Sequence, residues 1–187
     1  RVLACRVYRA KGVIARSAFV YLHGIESHSG WFKGAAQRLA LRGYDVYCLD
    51  RRGSGVNRES REFRTGDIDS HHSWLSDVRA LRTRLVANYE HLHLVGLSWG
   101  GKQAVAYALR YPDHFDSLVL ITPGLKSRFN PSAPTRILVA AISVLMPTLR
   151  FDLPLESEMF THNPEYQAKI DADPLRLHHV TARFVRE

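Results

Sequence analysis

The chain has 187 residues, 45% of them hydrophobic and 24% charged, which is enough for one domain with a real core and excludes an intrinsically disordered segment. Its 26 basic and 18 acidic residues give a formal charge of +8, but the arginines are scattered and no nucleic-acid-binding motif accompanies them, so the charge reads as that of a basic globular protein with no nucleic-acid partner. The longest apolar run, Ile137 to Met146 between Pro134 and Pro147, is about half the roughly 20 residues that span a bilayer, so it is no transmembrane helix.

Along the chain, Arg1 to Tyr8 reads as an edge strand. Residues Ala18 to His23 form a short β-rich run that stops at Gly24, as a buried strand running into a functional loop does. Phe32, Ala35, Ala36, Leu39 and Ala40 then recur at helical spacing, with Gly43 where a C-terminal glycine belongs. Val46 to Leu49 gives a second buried strand, followed by the polar, glycine-rich loop Asp50 to Asn57. Trp74, Leu75, Val78, Leu81, Leu85 and Tyr89 mark an amphipathic helix, and Leu92 to Gly96 a third strand. Ala104, Val105, Ala108 and Leu109 belong to a helix closed by Pro112, and Ser117 to Thr122 is a fourth strand. From Pro123 onward the alternation stops, and an apolar helix at 135–146 leads into an irregular stretch punctuated by Pro147, Pro154, Pro164 and Pro174.

Apolar strands alternating with amphipathic helices imply an α/β fold with a mostly parallel sheet flanked by helices, whose reactive loops lie at the carboxyl ends of the strands. Three strands end in unusual loops: His23-Gly24, the Asp50 loop, and Gly96 to Gly100. Cys48 sits within a strand pattern and reads as a buried free thiol, which fits a reducing compartment, and we place the protein in the cytoplasm or peripheral to a membrane. The sequence starts at Arg1 with no basic-then-apolar leader, so either a leader has been removed or the start of the reading frame lies upstream.

The sharpest signal is Gly96-Leu97-Ser98-Trp99-Gly100, a G-x-S-x-G between a strand and a helix. A serine exposed at the tip of so sharp a turn needs small residues two positions either side, because the backbone there approaches neighbouring chain. The helix N-terminus behind Ser98 favours developing negative charge, and the N–H of Trp99 can face a tetrahedral oxyanion. A second donor is expected from His23-Gly24-Ile25, where the Ile25 N–H faces the elbow and the His23 imidazole is structural. The Asp50 loop, Trp74 and Asp77 are also read as structural.

The run His23 to Phe32, the loop Asp50-Arg51-Arg52-Gly53-Ser54-Gly55, the elbow Gly96 to Gly101 and Leu118 to Pro123 together resemble the monoacylglycerol lipase and lysophospholipase group of α/β-hydrolases, often grouped with serine aminopeptidases. Asp173-Pro174-Leu175 is similar to the end of that group's cap. The resemblance implies an α/β-hydrolase core over residues 1–123 and a cap over 124–187. It further implies Ser98 as nucleophile, Ile25 and Trp99 as oxyanion hole, His23, Gly24, Gly96 and Gly100 as motif support, and no cofactor or metal. Two positions depart from the group: Glu26-Ser27-His28 stands where Gly-Glu-His is usual, and Trp99 where Met is common.

In this group the acid and histidine follow the cap, and nothing after Thr122 reads as the strands that carry them. His162, His178 and His179, with Asp152, Asp171 or Asp173, fall in the cap, so both catalytic partners are expected beyond residue 187. Ile137, Ala141 and Leu145 repeat on a helix apolar nearly all round, and we expect them to line an acyl pocket under a lid, with peripheral membrane contact through the cap. The expected function is hydrolysis of a small-molecule lipid ester through an acyl-enzyme on Ser98. The alternatives are a proline-type aminopeptidase on the same scaffold, which needs an acidic site for a free amino terminus, and a non-catalytic binding protein.

Overall fold

The computed structural model describes residues 3–60, 64–125 and 132–187. Five strands, β1 (Cys5–Tyr8), β2 (Ser17–Leu22), β3 (Asp45–Leu49), β4 (His91–Leu97) and β5 (Ser117–Ile121), lie in the spatial order β1-β3-β2-β4-β5. The last four run parallel and β1 joins β3 antiparallel at one edge. Leu22 is in register with both Leu49 and Gly96, so the chain leaves three neighbouring strands side by side. That register brings His23-Gly24-Ile25, Asp50-Arg51 and Ser98 to one end of the sheet.

The two-residue period of a strand divides the core. Val20, Leu22, Tyr47, Leu49 and Leu94 face one side, where they meet Leu75 and Val78 of α2 (His71–Leu85) and Ala104 and Tyr107 of α3 (Trp99–Arg110). Tyr21, Val46, Cys48 and Val95 face the other, against Ala36 of α1 (Lys33–Leu41). Cys48 is free and buried. Ser70 caps α2, its hydroxyl accepting from the His72 N–H, so this helix begins a turn before its first buried residue, Trp74.

Beyond β5 the chain forms α4 (Ala133–Leu145), β6 (Arg150–Asp152), α5 (Pro164–Asp171), β7 (His179–Thr181) and α6 (Ala182–Arg186). The antiparallel β6–β7 pair and α6 replace the irregular stretch expected from the sequence. Each strand is three residues long, too short for an alternating pattern to stand out between prolines. This region is seated on the core by specific bonds: Asp67 accepts from Thr181 Oγ1 at 2.7 Å and from Arg183 Nε at 3.1 Å, and the Leu177 N–H donates to Glu26 O at 2.9 Å. Around them Ile68 and Trp74 pack with Leu177, Val180 and Phe184, and the side chains of Ile25 and Trp99 join the same cluster.

Candidate active site

Strand β4 ends at Leu97 and α3 begins at Trp99, leaving Ser98 as the whole connection between them. Its backbone is forced to φ 52°, ψ −118°, a region that costs a residue with a side chain on the order of 1–3 kcal/mol. Three hydrogen bonds impose it: the Ser98 N–H donates to Ile121 O at 2.9 Å, and Ser98 O accepts from the N–H of Gly101 at 2.9 Å and of Gly124 at 2.8 Å. The flanking glycines are steric necessities. A Cβ on Gly96 would stand 2.6 Å from Gly100 O and Gly101 Cα, and one on Gly100 would stand 2.6 Å from His23 O.

Ser98 lines a cleft of about 1080 Å³. Gly24 and Ile25 form the neighbouring wall, and a Cβ on Gly24 would lie 3.6 Å from that of Ser98. The N–H groups of Ile25 and Trp99 donate to no acceptor among the described residues. His23, buried behind this wall, is bonded to backbone at both ring nitrogens: Nδ1 meets Gly24 O at 2.8 Å and Nε2 accepts from the Arg51 N–H at 3.2 Å. Burial, and next the Arg51 charge, press its pKa well below the ordinary 6.5, so the ring is neutral, with its proton on Nδ1.

The Asp50 loop is tied down on every side. Asp50 accepts from the N–H of Ser29 at 2.5 Å and of Val56 at 2.9 Å, and Arg52 makes a two-point pair with Asp77 at 2.8 and 2.5 Å. Arg51 is turned inward, 3% exposed, and burial draws its pKa down to about 9 against the opposing pull of Asp50.

The outer wall of the cleft comes from the region after β5, through Leu155, Met159, Phe160 and Asp173. Asp173 accepts from His28 Nε2 at 2.8 Å and Trp31 Nε1 at 2.7 Å; burial pushes its carboxyl upward, but these bonds outweigh burial and hold it below the usual range. Glu26, 1% exposed, meets Arg176 Nε at 2.9 Å, and burial raises its carboxyl despite that bond. Arg176 also reaches Asp171 at 2.8 Å. Arg51, Asp173 and Arg176 are absent from the sequence-derived site because charged residues distant in sequence carry no periodicity that signals pairing. The substitution at Glu26 was the one visible cue.

The expected pocket residues of the cap are elsewhere. Ile137, Ala141 and Leu145 do not line the Ser98 cleft; they lie exposed on α4, with Ile137 70% and Leu145 80% accessible. The helix packs against α6, burying Ser143 alone, and so turns its apolar side chains outward. His162 and His178 are exposed, His179 lies in β7, and no histidine lines the cleft among the described residues. Among those residues no three His, Cys, Asp or Glu side chains converge on a possible metal site, and no helix is long and apolar enough to cross a membrane.

Residues 14–187 match the family model described as serine aminopeptidase, S33. Human monoglyceride lipase is 29% identical over 178 residues, covering 92% of this chain and 56% of its own, and a phospholipase of Bacillus subtilis is 23% identical over 172 residues, covering 91% and 65%. The chain thus spans about half to two thirds of the length of these relatives. Among solved structures, the monoacylglycerol lipase of Paleococcus ferrophilus superposes with a TM-score of 0.84 at 22% identity, covering 100% of this chain and 68% of that one, a likeness of fold. With its parallel sheet, its serine between β4 and α3 and a family match across nearly all its length, the chain belongs to the serine aminopeptidase S33 family of α/β-hydrolases.

Proposed function

We propose that this chain carries the nucleophile of a serine hydrolase that cleaves carboxylic esters of lipids, of the monoacylglycerol or lysophospholipid class. The observation that carries the proposal is Ser98 held at positive φ at the mouth of a cleft whose walls include Trp31, Phe32, Leu97, Leu155, Met159 and Phe160, surfaces suited to an acyl chain. Ser98 Oγ attacks the acyl carbon while a histidine takes its proton, and the tetrahedral oxyanion rests on the N–H groups of Ile25 and Trp99. Collapse of that intermediate returns the proton to the departing alcohol, and water then releases the fatty acid and restores Ser98. We place the histidine and its orienting carboxylate in polypeptide beyond residue 187, the core in 1–123 and the cap in 124–187.

The glycerolipid reading is favoured over an aminopeptidase by the cleft's apolar walls and by Asp173, an acidic lining residue already engaged by His28 and Trp31. Glu26, the other acidic residue of the described lining, is buried and meets Arg176 through one oxygen, while its second oxygen has no partner among the described residues. The outward apolar side chains of α4 support peripheral contact with a lipid surface, in keeping with a cytoplasmic or membrane-peripheral protein.

The test is a fluorophosphonate probe on the full-length gene product, followed by parallel assays on monoacylglycerol, lysophosphatidylcholine and aminoacyl nitroanilides. Labelling that disappears in Ser98→Ala, with fatty acid release, is expected. An unlabelled protein would instead be a binding protein, and nitroanilide cleavage without ester cleavage would make it a peptidase.

A further inference from the structure

We infer that Arg51 is a positioning residue for the oxyanion hole, one buried guanidinium holding both donor residues from behind; this rests on the reading of Ser98, Ile25 and Trp99 given above. Its Nη1 donates to Gly24 O at 2.9 Å and lies 3.4 Å from His23 O, and its Nη2 donates to Ile25 O. In a trans peptide the C=O and N–H point opposite ways. Drawing the Gly24 carbonyl into the interior therefore turns the Ile25 N–H of the same peptide outward, toward the wall that faces Ser98. A carbonyl bonded to a cation also polarises its peptide, which makes the attached N–H a stronger donor.

The second donor is held through its side chain. The guanidinium carbon stands 4.8 Å from the centre of the Trp99 ring and 5.9 Å from that of Phe184, so the charge rests on the indole of the residue that opens α3. Among the described residues no carboxylate is bonded to this cation. Both oxygens of its sequence neighbour Asp50 accept from the amides of Ser29 and Val56, and Arg51 Nε has no partner among the described residues. A buried charge without a bonded counter-ion is destabilising unless its hydrogen bonds do something for the fold or the site. Among the described residues its side-chain bonds to backbone all go to residues 23–25.

The experiment uses the full-length protein with Arg51→Met, Arg51→Lys and, as a packing control, Phe184→Leu. It reads thermal unfolding, kcat and KM on a p-nitrophenyl ester, and affinity for a trifluoromethyl ketone whose ionised serine hemiketal places an oxyanion in the hole. Arg51→Met is expected to lower kcat about 100-fold with KM nearly unchanged and to weaken the ketone in parallel, as removal of an oxyanion donor does. Arg51→Lys recovers part of the loss, and Phe184→Leu loses little. Wild-type kcat in folded Arg51→Met, a loss confined to KM, an equal loss in Phe184→Leu, or failure of both Arg51 variants to fold would each overturn the inference. A wild-type protein that a fluorophosphonate leaves unlabelled would remove the reading of Ser98 itself, and this inference with it.

Discussion

Glu26 and Arg176, 150 residues apart, meet at 2.9 Å with both side chains almost wholly buried, Arg176 reaching over from the segment between α5 and β7. Glu26 lines the cleft and follows the residue whose N–H is the proposed first oxyanion donor, so this pair ties the donor loop to the segment before β7. Truncating Glu26 leaves the buried Arg176 charge with only Asp171, whose side chain is more than half exposed, and Glu26→Ala is expected to destabilise the protein by about 3 kcal/mol. Glu26→Gln keeps an acceptor for Arg176 and should lose clearly less. Denaturant unfolding of the two variants checks this, and equal losses would show that the neutral acceptor recovers nothing and that the charge carries the pair.

At Ser98 the strain makes a prediction of opposite sign. Glycine adopts φ 52° freely, so Ser98→Gly should be more stable than Ser98→Ala by about 1 kcal/mol, although glycine gives up unfolded-state entropy elsewhere. Both variants should be inactive. Thermal unfolding of the pair decides it, and an alanine variant as stable as the glycine variant would mean that the turn relaxes.

The glycines flanking the serine should tolerate nothing. In Gly100→Ala the new methyl meets backbone oxygens of Leu22 and His23, atoms that cannot swing aside as a side chain would. A loss of about 2 kcal/mol or more is expected, with activity falling further than stability because the turn itself must shift. Unfolding and fluorophosphonate labelling report the two effects separately.

His23 gives the protein a particular acid response. Its folded pKa is depressed below 6.5, so the unfolded chain binds the proton more readily, and the associated stability is complete above about pH 6.5 and declines as pH falls toward the folded value. The slope from this one group approaches about 1.4 kcal/mol per pH unit. His23→Asn should flatten the stability profile between pH 6.5 and 5. A profile of unchanged slope would show that other histidines, such as His93 and His179, both also lowered chiefly by burial, dominate.

On α4, Ile137→Glu with Leu145→Glu should leave stability within about 0.5 kcal/mol of the parent, since neither side chain is buried. The same double variant should reduce co-sedimentation with phosphatidylcholine vesicles. A large loss of stability would mean these residues are covered in solution.

The strands and helices of the core were legible because their signals are local and repetitive. The runs at Ala18 to His23, Val46 to Leu49 and Leu92 to Gly96 each differ from the observed strands by a residue or so, and the G-x-S-x-G fell between strand and helix as read. What sequence could not convey was direction and distance. The spacing of Ile137, Ala141 and Leu145 marks one face of a helix but not whether that face meets the cleft or the solvent. Asp173 could be placed in the cap, yet its bonds to His28 and Trp31 span more than 140 residues and follow from tertiary packing alone. Arg51 is the extreme case, because a charged residue in a polar loop gives every appearance of a solvated one.

Strand β5 stands at one edge of the sheet, where among the described residues it pairs with β4 alone, and leaves Leu118, Val119 and Ile121 each more than a third accessible. Open backbone amides beside greasy side chains form a ready template for self-association. Prepared by itself, the 187-residue polypeptide should therefore scatter light more strongly as concentration rises, and charged replacements at Val119 should improve its yield.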